Sequence, residues 1–201
     1  MTAFTTRDGM RLDDFMTEMG RQPFELIDGE KYPKRPTVFD HMLVVHALYG
    51  ALARYLSVNP IGVAFIEGTF ILPDLGQPDW VRGARIPDVM FIRNEALAAF
   101  RQSPLARPGA PLAVVPDLVI EVLSPTDSYS EVERKVDVYL ADSVRMVWAV
   151  DPQRKAATAW LANQTAVRLS ASDALDGRDV LAGFSVSLGE VFATLPAPPS
   201  P

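Results

Sequence analysis

The run DLVIEVL (117–123) constrains this chain more than any other segment. It is almost unbroken apolar residues and too short for a typical helix, the pattern of a central strand covered on both faces. Five residues on, Ser128 and Glu131 stand three apart before an amphipathic stretch, a capping-box pattern that predicts a helix to about Ala141. A second apolar run, VRMVWAVD (144–151), follows directly. Strand, helix and strand with short joints require a right-handed crossover, with both strands parallel in one sheet.

The rest of the chain has to cover that sheet. Leu12, Phe15, Met16 and Met19 recur at helical spacing over residues 11–19. In FELIDGEKY, Asp28-Gly29 between β-like flanks signals a hairpin. Residues 37–57 lack proline and are largely apolar, which predicts a long buried helix ending before Asn59-Pro60. GVAFIEGTFIL (62–72) reads as a strand, and IPDVMFI (86–92) as another entered through Pro87. Five residues of 101–116 are Pro or Gly, so that stretch reads as an exposed excursion or lid. AATAWLA (156–162) and TAVRLS (165–170) read as a closing hairpin or edge pair, and PAPPSP (196–201) reads as a disordered tail. The expected architecture is α/β (α+β), a mixed sheet flanked by helices, in one domain over 1–195.

Composition narrows the chemistry. With no cysteine, disulfides, thiolate metal sites and cysteine nucleophiles are excluded. Two histidines, His41 and His46, are too few for a histidine-rich metal centre. The glycines form no dinucleotide or P-loop pattern. A net charge of −6 lacks the basic excess usual on a phosphate backbone. Between 81 and 107, however, five arginines face two acidic residues, and these read equally as a solvated loop or as a phosphate-facing patch. Without a signal-like N-terminus or an apolar run near 18 residues, the expectation is a cytoplasmic protein that does not enter a membrane.

Against this background two carboxylates stand out. Glu121 lies inside the strand predicted to be buried on both faces, where an isolated carboxylate survives by protonation, pairing or metal binding. Asp88 opens another apolar strand. Each alone is simply explained by backbone amides or an arginine. Lys135 adds weight. Seven residues of returning helix cover about 10 Å, while Glu121 lies about 7 Å before its strand's end, so the two come level. The simpler account of Lys135 is an exposed partner of Glu131. Two carboxylates and an ammonium at one point suit phosphodiester hydrolysis assisted by Mg²⁺ or Mn²⁺. Asp117, Ser124 and the dispersed Trp80 and Trp160 are weaker candidates, and Trp148 reads as core.

At these residues the chain resembles a known family. PDVMFI, PDLVIEVLSP, a helix with ERKVDVYL, and VWAVDP, in that order, are similar to the bacterial Uma2 family, described as restriction endonucleases within the PD-(D/E)XK superfamily. FELIDGEKY and the helix near His41 extend the resemblance to roughly residues 12–192. It implies a restriction-endonuclease-like fold and a Mg²⁺-dependent endonuclease acting on DNA. Asp88, Glu121 and the Val122 carbonyl would hold the ion. The superfamily's lysine two positions after the acidic residue is replaced here by Leu123, and Lys135 would be its substitute. Glu30 and His41 also match family positions, without an assigned role. A homodimer is compatible with the resemblance. The alternative is a catalytically silent nuclease-like module for binding or assembly, and another phosphoester would use the same site.

Overall fold

A computed structural model describes residues 8–74, 76–162 and 165–196; the expected tail lies outside them except for Pro196. In chain order, β1 (Met10–Arg11) leads into α1 (Leu12–Met19), the hairpin β2 (Phe24–Ile27) and β3 (Glu30–Pro33), and α2 (Phe39–Val58). Next come β4 (Gly62–Ile66), β5 (Phe70–Asp74), β6 (Gln77–Arg85), β7 (Val89–Arg93), α3 (Asn94–Arg101), β8 (Leu118–Val122) and α4 (Tyr129–Ala141). The chain continues through β9 (Met146–Asp151), β10 (Ala156–Leu161), β11 (Ala166–Ser170), β12 (Ala174–Asp176), β13 (Ser185–Ser187) and α5 (Leu188–Phe192).

The principal sheet has the order β11-β10-β9-β8-β7-β4, antiparallel except for the parallel pair β8–β9. Side chains alternate across its pleat. Val89, Phe91, Leu118, Ile120, Met146 and Trp148 pack towards α2 and the C-terminal elements; Met90, Ile92, Val119 and Val147 pack towards α3 and α4. A second sheet runs β1-β6-β2-β3 with β5 also on β6, and α1 covers it through Leu12 and Phe15. The mixed sheet with flanking helices is the architecture anticipated. Asp28 and Gly29 both take positive φ, 51° and 79°, making the two-residue hairpin turn that places Ile27 opposite Glu30. Among the described residues no helix is long and apolar enough to cross a membrane.

Three expectations need correction. The single strand over 62–72 is two strands in different sheets, because Glu67 turns to φ 47° before Gly68. The arginine-bearing stretch from 81 is a loop only at its end, around the exposed Arg107: before that it continues β6 and, after β7, forms α3. Arg85 is buried, with Nη2 2.9 Å from Asp142 Oδ2 and Nη1 donating to the carbonyls of Leu26 and Ala84. It ties the second sheet to the end of α4. Finally, 101–116 is only half an excursion. Leu112, Val114 and Val115 pack on the α4-side core, and the Ile71 amide donates to the Leu112 carbonyl at 2.8 Å.

Candidate active site

Strand register creates the site. Val89 of β7 lies opposite Ile120 of β8, so Asp88, one residue earlier, comes beside Glu121, one residue later. Alternation turns Glu121 with Val119 towards α4, while Leu118, Ile120 and Val122 take the other face. The capping box anticipated at Ser128 and Glu131 is formed and starts α4 at Tyr129. Lys135 and Tyr139, one turn apart on that helix, both reach down to Glu121.

The contacts are dense and charged. Lys135 Nζ donates to Glu121 Oε2 at 3.1 Å, and Tyr139 OH donates to Oε1. Asp88 Oδ2 accepts from the Val122 amide at 2.8 Å and from His41 Nε2 at 3.0 Å; Oδ1 accepts from Lys34 Nζ at 3.0 Å. Asp88 is 2% exposed and Glu121 7%. Burial opposes the charge on Asp88, but the His41 hydrogen bond, the Lys34 ammonium and the Val122 amide outweigh it and hold the carboxyl at about 2. For Glu121 burial wins over Lys135, and its pKa is raised. The Glu121 carboxylate in turn raises the pKa of Lys135, against burial, so the ammonium stays charged. Burial raises that of Tyr139 well above the usual phenol range.

The structure therefore brings Asp88, Glu121 and Lys135 together around one cavity of about 330 Å³, which Val122 also lines. The pairing of Lys135 with Glu131 does not form; Glu131 instead caps the helix and meets Arg35 at 3.3 Å. His41 is buried on Asp88, whereas Glu30 is exposed on its hairpin and accepts from Tyr32 OH. Asp117 sits away from the cavity lining, held by Arg93 and Arg145 at 3.3 and 3.5 Å.

Three participants and one contact escaped the sequence reading. Glu25 is buried on β2, accepts from the Ile86 amide at 3.0 Å and lies 3.8 Å from Lys135 Nζ. The signal was present: a charged residue in a strand otherwise reading FELI. Tyr139 was hidden inside the apolar stripe of α4, as any buried tyrosine is. Lys34, in the strand-to-helix joint, and the His41–Asp88 pairing join residues 54 and 47 positions apart, and no local pattern carries such a contact.

Chemically the donor set is oxygen-rich and hard, the kind that suits a hydrated divalent ion such as Mg²⁺. Three buried or nearly buried carboxylates, Glu25, Asp88 and Glu121, line one cavity. Among the described residues no three His, Asp or Glu groups converge as a ready-made cation cage. Such an ion would therefore take part of its shell from backbone oxygen and water, as Mg²⁺ commonly does. Lys34 and Lys135 now supply the positive charge that the carboxylates require.

Comparison with known proteins agrees with this geometry at the level of fold and family. A crystal structure of a "putative nuclease belonging to DUF820" from Anabaena variabilis superposes with a TM-score of 0.72 at 18% identity, covering 92% of this chain and 98% of that one. No curated protein gives a significant match. The Uma2 family, described as "Putative restriction endonuclease", matches residues 12–189. That span contains every strand and helix contributing to the cavity, and by it the chain belongs to the Uma2 family.

Proposed function

We propose that the protein is a nuclease that hydrolyses DNA phosphodiester bonds with Mg²⁺ or Mn²⁺ held by Asp88, Glu121 and the Val122 carbonyl. The observation that carries this reading is the convergence of two buried carboxylates and a charged lysine, 3.1 Å from one of them, on an open cavity. A bound ion would supply a water of lowered pKa and would neutralise charge on the phosphate. The protein's own groups do the rest. Lys135, kept protonated by Glu121, offers positive charge to the phosphate oxygens and does not act as a base. His41 and the Val122 amide fix the orientation of Asp88, while Tyr139 fixes that of Glu121. Glu25, 3.8 Å from the Lys135 ammonium, restrains it further.

The test is cleavage of supercoiled plasmid and labelled oligonucleotides in Mg²⁺ or Mn²⁺, with calorimetric titration of each metal. Wild type should bind metal and cleave. Glu121→Gln should lower the rate about 100-fold or more, since an electrostatic contact to the reacting group contributes on that scale. Equal cleavage by the variant would overturn the assignment. Metal and DNA binding without turnover by wild type would favour the silent-module reading, which the present engagement of both Asp88 oxygens by protein donors also accommodates.

A further inference from the structure

Charge matching around the cavity leaves one group over. Of the four cations lining it, three have carboxylate partners. Lys34 meets Asp88 at 3.0 Å, Lys135 meets Glu121 at 3.1 Å, and Arg35 meets Asp127 and Glu131 at 3.6 and 3.3 Å. Arg134 has no anionic partner among the described residues. Its guanidinium instead lies over the Tyr32 ring, 4.6 Å from the centroid, and Tyr32 is itself held by a 2.8 Å hydrogen bond to Glu30. Both Arg134 and Tyr32 line the cavity, and Arg134 directly precedes Lys135 on α4.

We infer that Arg134, buttressed by Tyr32, is a seat for a backbone phosphate next to the scissile one, so that the substrate is a polynucleotide strand and not a terminal phosphoester. This rests on the nuclease reading above. A planar guanidinium offers a fork of donors matched to phosphate oxygens. Stacking on an aromatic face leaves that fork open and restricts the side chain, so less freedom is lost on binding. Lys135 is committed to Glu121, whereas Arg134, its neighbour on the helix, is exposed. A strand whose reacting phosphate meets Lys135 therefore brings a flanking phosphate to Arg134, which lines the same cavity. Arg134 is a positioning residue: it holds the strand and leaves the reacting phosphate to the groups below.

The experiment measures binding of fluorescein-labelled 12-nucleotide single strands and 12-base-pair duplexes by anisotropy over a salt series in Ca²⁺, together with steady-state cleavage in Mg²⁺. Arg134→Ala should weaken binding about tenfold and reduce the slope of log Kd against log salt by about 0.7 for a single strand or 0.9 for a duplex, the loss of one phosphate contact. The defect should appear in KM, with kcat retained. Arg134→Lys should recover the salt slope but only part of the affinity, and Tyr32→Leu should weaken binding with its slope unchanged. Arg134 is exposed, so unfolding temperatures report whether the variants fold normally. Wild-type binding with an unaltered Arg134→Ala slope overturns the phosphate seat and leaves the nuclease reading in place. A wild type that neither binds nor cleaves any oligonucleotide overturns both.

Discussion

Replacing Asp88 by asparagine probes the electrostatics of the site while keeping its shape. The carboxylate accepts from His41, Lys34 and the Val122 amide, and these bring its pKa from an ordinary 3.8 to about 2. A difference of that size is worth about 2 kcal/mol of folding free energy at neutral pH. Because the folded value is depressed, the contribution is complete above the unfolded pKa and drains away as pH falls through the folded one. About half should remain at pH 3. Glu121, whose pKa is raised, acts in the opposite sense: its contribution favours folding in acid and is lost as pH rises through its folded value. The charge on Asp88 is one cause of that rise, so Asp88→Asn also relieves Glu121 slightly. The assay is urea unfolding of wild type and Asp88→Asn at pH 7, 5 and 3, followed by tryptophan fluorescence, since Trp148 is fully buried. The variant should be less stable by about 2 kcal/mol at pH 7, and the gap should narrow by about 1 kcal/mol at pH 3. A gap of constant size would mean that lost packing or hydrogen-bond geometry, not charge, accounts for the defect.

Two further substitutions test the supports around the site. Ser128→Ala removes the side chain that caps α4 and should cost about 1 kcal/mol, read as a lowered urea midpoint with an unchanged slope. Arg85→Leu leaves the Asp142 carboxylate at the end of α4 without its partner and should destabilise by roughly 3–5 kcal/mol. Adding Asp142→Leu should recover much of that loss, and a double variant no more stable than the single one would show that Arg85 acts through its carbonyl contacts instead.

Much of the fold was readable because burial in a sheet and burial along a helix leave different periods in a sequence. The strand with Glu121, the capped helix with Lys135 and the strand with Trp148 all announced themselves. A seven-residue distance argument along that helix was enough to bring Lys135 level with Glu121. The strand β6 was not readable: it carries Pro78, Gly83 and three charged residues. Arg82 and Arg85 look solvated in one dimension, and Arg85 is buried because Asp142 and the carbonyls of Leu26 and Ala84 meet it in the fold. The break between β4 and β5 was equally hidden, since Glu67 at positive φ looks like any polar residue within a strand.

The candidate site divides in the same way. By itself the sequence determined which carboxylates were out of place and which lysine could join them, because a charged residue within an apolar run is a local anomaly with few physical resolutions. The tertiary structure alone decided which further groups surround them. Glu25, Lys34 and His41 reach the cavity from β2, from the joint after β3 and from α2, each distant along the chain from the groups they touch. The physical reason is that a carboxylate's need for partners is a property of its own burial, whereas the identity of those partners depends on which surfaces the packed elements bring within about 3 Å.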